Sequence, residues 1–493
     1  MTGARALASQ LGKPGLHLAA AAAGLILAAL VAQIWNLEPR YAFASIAGLL
    51  ILAASMTVLD RLPDLMLFVM ALNLPFTGIE KTFLLHNETT YVVGGVGVGL
   101  LEILVVGLYL FWALRIFVIR DEPLPRPTML DAWVFAFWLA HLVSVLNAVS
   151  SKLVLFEVVR LAKYALAYFY LAHNIRRRHW KWISAAILCA ILTQTGIALV
   201  QYKTGKLLGV GQTKGAAEKS YDQYTVPGFE DVRRAEGTTF DSHALGLFLA
   251  MTQPVALALA LTKRIRPAYR FIAAGVCSFG MAGLAVSFAR AGWVAFVGSA
   301  LVVGVCLARG QYRHTWRRSI PVLALALLAG LISLIPVLPQ IRKRILDAPR
   351  ELVTARVETV EMGFEMWKPV AWSGLGANNY MRDLELTFSI FEGDPYFIPA
   401  HNMPAMILFE LGVFGFLMFL GWSIAILRAG WKAASVEAPV EQALGAALLG
   451  SFVALQLEGI FDPIYVTNVT YFLLWFELGC LAALYRRRKH AEA

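Results

Sequence analysis

Charge is what this 493-residue sequence has least of. Asp, Glu, Lys and Arg make up 15% of it, while hydrophobic types reach 59%. A soluble domain carries about a quarter charged residues, so these charges are too few to coat several soluble domains. Soluble enzymes, fibrous proteins and disordered chains are excluded. Cysteine is scarce too, at 4 residues. Cys189, Cys277, Cys306 and Cys480 all fall inside apolar runs, so no disulfide framework is expected. Low-complexity linkers are missing, as are the alternating ten-residue segments of an outer-membrane barrel. Internal duplication is missing as well, which counts against the many transporters built from repeats.

Long apolar runs are what the sequence does have. They recur from Leu16 to Tyr485 at the length that crosses about 30 Å of hydrocarbon. They predict an all-α polytopic integral membrane protein, with residues 1–493 forming one transmembrane helical domain. About fourteen spans are expected, at 16–35, 41–59, 65–79, 92–118, 132–149, 153–172, 183–200, 244–262, 271–288, 291–308, 319–338, 403–426, 442–460 and 464–485. The stretch at 65–79 is short and holds Asn73 and Pro75, which suggests a broken or re-entrant segment. Arg5 and Lys13 precede the first run, which is read as a retained helix rather than a cleaved signal.

The net charge of +11 would suggest nucleic acid in a soluble protein. Here the basic residues cluster beside the spans, so no nucleic-acid partner is expected and membrane lipids are. Placing the N-terminus inside makes the even-numbered loops cytoplasmic. Those loops carry Arg176–Arg178 with Lys181, Lys263 to Arg270, Arg309 to Arg318, Arg428 with Lys432, and Arg486 to Lys489. This is the positive-inside pattern, and it places both termini in the cytoplasm. Arg120 to Asp131 is the exception. Two long loops then fall outside, at 201–243 and 339–402. Ordered loops of that length usually carry function, and apolar residues at helical spacing predict a helix over Arg350 to Trp367.

The outer face gathers Arg233, Arg234, Glu236 and His243 at the end of the first long loop, and Arg290 in a tight hairpin between spans. Gly374 to Tyr380 and His401-Asn402 lie late in the second long loop. Paired arginines stabilise the charge of a departing diphosphate through planar, permanently ionised forks. Histidine suits a general base near neutral pH. Each residue also has an ordinary reading: Arg234 a solvated loop charge, Arg290 a snorkelling arginine, His401 a helix-cap partner. Their meeting at one face favours a site, with His401, Arg290 and Arg234 as catalytic residues. Arg233, Asn402, Gly374, Gly376 and Tyr380 are the expected substrate contacts.

Four blocks resemble a known family. They are Arg-Ala-Glu-Gly-Thr-Thr-Phe (234–240), Ser-Phe-Ala-Arg-Ala-Gly-Trp (287–293), Gly-Leu-Gly-Ala-Asn-Asn-Tyr (374–380), and His401-Asn402 with the Glu-Leu-Gly-Val-Phe-Gly that follows (410–415). Together they resemble the O-antigen ligase and polymerase superfamily over roughly residues 230–425. The resemblance implies transfer of a glycan from undecaprenyl diphosphate at the periplasmic face of a bacterial inner membrane, with inversion and with neither cofactor nor metal. The acceptor would be lipid A core or another glycan. Arg234 and Arg290 would bind the diphosphate, and His401 would activate the acceptor hydroxyl. One departure stands out: Ala289 precedes Arg290 where family members often have Ser, and Ser287 lies three positions before the arginine. A flippase or other polytopic transporter is the alternative reading.

Arg160 and Lys163 lie three apart within an apolar run and so share a helix face. Either they pair with Glu157 or another carboxylate, or they make a deeper diphosphate or headgroup contact. The glycine run at 94–99 opens a span without a preceding soluble strand, so close helix packing is expected there rather than a nucleotide loop.

Overall fold

The computed structural model describes residues 62–76, 80–84, 94–120, 122–206, 225–226, 229–239, 241–262, 264–309, 338–339, 342, 350–391, 394, 396–436, 438–463 and 467–492. The expected spans at 16–35 and 41–59, and all but the last residue of that at 319–338, lie outside them.

The described chain is helical almost throughout. It begins with α1 (Leu62–Leu72), a 3-10 turn (Leu74–Phe76) and a hairpin of β1 (Glu80–Phe83) with β2 (Val96–Gly99). Then come α2 (Leu100–Ala113), α3 (Met129–Val143), α4 (Ser151–Asn174) and α5 (Trp180–Thr204). A second small antiparallel pair, β3 (Thr225–Val226) and β4 (Phe229–Arg233), leads to α6 (Ser242–Leu261), α7 (Pro267–Val286) and α8 (Arg290–Arg309). The rest is α9 (Arg350–Trp367), α10 (Tyr380–Phe388), α11 (Met403–Ala433), α12 (Pro439–Gly459) and α13 (Asn468–Glu492).

Among the described residues, nine helices are long and apolar enough to cross a membrane. They are α2, α3, α5, α6, α7, α8, α11, α12 and α13, some with short extensions. The 24-residue α4 matches them in length but carries Lys152, Glu157, Arg160 and Lys163. The segment expected at 65–79 is broken: α1 stops at Leu72 and a 3-10 turn follows around Pro75, since proline lacks the N–H that a continuing helix needs. The expected span at 92–118 is corrected at its start. Val96–Gly99 is a strand, and the helix begins only at Leu100. Alternating glycine costs too much backbone entropy for a helix. Gly97 also leaves room for the Glu80 carboxylate, which lies 2.0 Å from where a Cβ would stand.

The helices form one bundle. α6 is its axis, enclosed by α7, α8, α12 and part of α5, and its whole apolar window is buried. Small residues allow the close approaches. A Cβ on Gly292 of α8 would come 3.0 Å from the Gly246 carbonyl carbon of α6, and one on Gly450 of α12 would come 2.9 Å from the Ser299 carbonyl oxygen. Bilayer lipid is as apolar as a leucine side chain, so helix association in a membrane depends on contacts of this kind. The peripheral helices turn apolar residues outward: Val106 and Leu110 of α2, Val294 and Val297 of α8, Leu417 and Leu420 of α11. A surface like that fits hydrocarbon and not water.

Candidate functional site

Two glutamines on one face of α5 fix the first part of the site. Gln201 accepts from Gly237 N at 2.7 Å and donates to Gly237 O at 2.8 Å. Gln194 accepts from Thr238 N at 2.9 Å and donates to Thr238 Oγ1 at 2.8 Å. Gly237 has φ +59, and a Cβ there would strike Gln194 Oε1 at 2.4 Å. The loop so anchored also joins the α7–α8 corner, where Ala235 N donates to Val286 O at 3.0 Å and Arg234 Nε to Ser287 O at 3.3 Å.

That corner is tight. Phe288 is buried at φ +52, outside the comfortable range of a bulky residue, and it turns the chain so that Arg290 opens α8. Arg234 and Arg290, 56 positions apart in sequence, are thereby brought into each other's field. Ala289, the departure from the family pattern, is buried. A Cβ on Gly246 would lie only 2.5 Å from the Ala289 Cβ, so this position is pressed against α6. Ser287 is engaged within its own turn, donating to Leu284 O at 2.7 Å.

Asp462, just beyond α12, is the hub of the site. His243 Nδ1 lies 3.2 Å from its Oδ2, and His401 Nε2 lies 3.9 Å from its Oδ1. An Arg356 Nη2 from α9 stands 3.8 Å from Oδ1. Burial works against the Asp462 charge, but His243, Arg356 and His401 outweigh it and hold the carboxyl below its ordinary value. Arg234 lies within the field of Asp462 and Asp241 as well as those of Arg290 and Arg356. Burial pushes its guanidinium down from its ordinary value, the two arginines add to this, and the two carboxylates oppose it. Arginine starts so high that it stays charged. Arg234 is 8% exposed and one Nη has no hydrogen-bond partner among the described residues.

His401 is held in one tautomer. Its Nδ1 is 2.8 Å from Pro399 O, which can only accept, so Nδ1 carries the proton and Nε2 keeps its lone pair. Burial and then Arg356 push its pKa down, while Asp462 and the carbonyl partly offset them. The imidazole is therefore neutral at physiological pH. Asn402 has structural work: its Oδ1 caps α11 by accepting from Ala405 N at 2.9 Å, and its Nδ2 donates to Ile460 O at 3.1 Å. The second bond draws the 460–462 turn toward His401. Arg233 ends β4, and its side chain lies outside the described structure.

Gly374, Gly376 and Tyr380, the expected substrate contacts, have partners within the fold. α11 breaks at Gly412, whose φ +66 and ψ −174 only glycine adopts readily. The break frees backbone groups, and the 370–376 loop satisfies them. Leu375 N donates to Phe409 O and Gly376 N to Glu410 O, both at 2.9 Å, while Val413 N donates to Ala371 O at 2.8 Å. A Cβ on Gly374 would lie 2.4 Å from Glu410 O. Tyr380 is buried and donates to Thr359 O. Asn379 bonds Ser150 through both its amide oxygen and its amide nitrogen. The glycine-rich block is therefore a seam joining the second loop, α11 and the α3–α4 connection, and these three residues are taken up within it.

Arg160 and Lys163 stand apart from the hub, each with a carboxylate. Arg160 lies 2.8 Å from Glu157 and over the Tyr471 ring. Lys163 lies 2.8 Å from Glu102 and donates to Gly97 O at 2.6 Å. Asn468 links the two, donating to Glu80 and accepting from Arg160 at 3.3 Å.

Sequence reasoning placed His243 at this face without giving it a role, and missed Arg356, Glu458 and Asp462. Glu458 lies at the end of an apolar span, and Asp462 follows one helical turn later, in the short connection before α13. An acid at that depth is a functional signal in itself. His243, Glu458 and Asp462 present ligand atoms within 4.8 Å of one another, a spacing that could hold a metal ion. The surrounding arginines oppose a second cation and favour an anion.

Residues 273–420 match the family model described as O-Antigen ligase. The match contains Arg290, the glycine-rich block and His401, and it covers less than a third of the chain. It supports the O-antigen ligase and polymerase superfamily, and O-antigen ligase-type function in general. No curated protein matches the chain.

Proposed function

We propose that this protein is a membrane glycosyltransferase of the O-antigen ligase and polymerase type. It moves a glycan from an undecaprenyl-diphosphate donor to a hydroxyl acceptor, a lipid A core or another glycan, at the periplasmic face of a bacterial inner membrane. Both termini then face the cytoplasm. The observation that carries this reading is the meeting of Arg234, Arg290 and Arg356 with His401 around Asp462.

The chemistry follows from those groups. His401 Nε2 takes the proton of the acceptor hydroxyl as its oxygen attacks the anomeric carbon from the face opposite the diphosphate. The bond from that carbon to the diphosphate oxygen breaks, and configuration inverts. The leaving group gains negative charge in the transition state, where preorganised guanidinium forks act most strongly. Asp462 faces the His401 ring and stabilises the imidazolium that forms. With arginines to neutralise the diphosphate, no metal is assigned to the step.

The test is single-turnover transfer with purified protein, a polyprenyl diphosphate glycan and candidate acceptors, read by glycan length. Transfer that depends on His401 and Arg290 supports the reading. Movement of the lipid-linked glycan across the bilayer without any transfer would replace it with a flippase.

A further inference from the structure

A groove of about 1020 Å³ opens on the membrane-facing side of the bundle, at the end away from the arginines. That is the upper end of the range of roughly 300–1,000 Å³ for ligand pockets. Trp133 of α3, Leu301 and Val305 of α8 and Ile424 of α11 line it. The wall is shaped for Trp133: a Cβ on Gly421 would strike its ring at 2.2 Å. α8 runs from Arg290 in the site to Arg309 beside the groove's rim, which puts the rim about 29 Å from the arginine site along the helix.

The rim is basic and aromatic. Arg428 and Lys432 line it, both exposed. Arg428 forms no ion pair among the described residues. Arg309 lies 4.9 Å over the Trp431 ring, and Lys432 lies 5.9 Å over Tyr485. Tryptophan and tyrosine collect where hydrocarbon gives way to headgroups, so the cations sit at headgroup level with the apolar groove reaching into the bilayer from them. We propose that the groove holds an anionic glycerophospholipid, its phosphate at Arg428 and Lys432 and its acyl chains against Trp133, Leu301 and Ile424. The donor's polyprenyl lipid is not the occupant, because its diphosphate belongs with the arginines at the opposite end.

Native mass spectrometry of the full chain tests this, with equal amounts of dioleoyl phosphatidylglycerol and dioleoyl phosphatidylcholine, which share their chains. The anionic lipid should be retained in preference. Arg428→Gln with Lys432→Gln should reduce that preference by about fivefold per charge removed. Ile424→Trp should narrow the groove where the acyl chains lie and lower retention of both lipids. Equal retention of the two lipids by the parent protein overturns the proposal without any variant. So does a preference that survives the double substitution, or displacement of the anionic lipid by less undecaprenyl phosphate than phosphatidylglycerol. A cysteine at 424 that crosslinks to one in the 319–338 stretch would show the chain itself in the groove and would also overturn it.

Discussion

Arg160 and Arg234 are both buried arginines, 4% and 8% exposed, and they differ in what answers their charge. Arg160 has Glu157 at 2.8 Å on its own helix, an amide oxygen and an aromatic face. Arg234 has a backbone carbonyl, carboxylates acting through their field, and two further arginines within range. One arrangement meets its charge with a carboxylate at contact distance, although its Nε too has no hydrogen-bond partner among the described residues. The other concentrates positive charge beside a neutral histidine, with no carboxylate in contact with its guanidinium among the described residues. A buried cation marks a site only when the protein supplies too little negative charge to match it.

The comparison can be broken at either cluster. The largest expected effect is on His401→Ala, where turnover should fall by roughly 10²–10⁴-fold, the usual worth of a general base, with donor affinity retained. Donor binding and single-turnover rate on the inserted, folded variant check this. Parental turnover would remove His401 from its role. Next comes Arg290→Lys, which keeps the charge and loses the planar fork. Its rate should drop by about 10²–10³-fold, and Arg234→Ala should weaken donor binding as well.

Arg160→Gln should behave in the opposite way. It strands Glu157, so stability should fall by about 3–5 kcal/mol while each folded molecule keeps its transfer rate. Adding Glu157→Gln should recover most of the stability in a denaturation assay. A specific loss of donor affinity in the double variant would make the two clusters alike after all.

A smaller effect concerns pH. Arg356 holds the His401 pKa down and Asp462 holds it up. The base works unprotonated, so rate falls as pH drops through that pKa. Arg356→Gln should therefore move the acid limb of the kcat/KM profile to higher pH, and Asp462→Asn should move it lower. The smallest expected effect is none: chelator should leave transfer unchanged. Loss restored by magnesium or manganese would assign the His243–Glu458–Asp462 group to a cation.

Much of this was legible in the residues. Apolar runs marked the described spans because bilayer thickness sets their length, and the positive-inside pattern gathered Arg234, Arg290 and His401 at one face. The hub was not legible. Asp462 and Arg356 lie in stretches without a motif, and only tertiary packing brings them to His401. The glycines at 374 and 376 were conspicuous, but a glycine shows equally well where a ligand approaches and where backbone must. Here the backbone is that of a broken helix at Gly412. For Arg160 and Lys163, the Glu157 pairing was one of the readings open in the sequence, whereas Asn468 and Glu102 are contributed by α13 and α2 and could not be read from it.

The burial of α6 bears on how the chain is built. Its apolar window is wholly enclosed by protein, so no part of that window meets lipid in the finished bundle. Its greasiness therefore records its route and not its destination. A segment that is to enter a bilayer as an independent helix must be apolar all round at that moment, whatever surrounds it afterwards. α8 and α12, which help to enclose α6, follow it in the chain. The axis must wait in lipid for its own walls, and assembly of the arginine site waits with it.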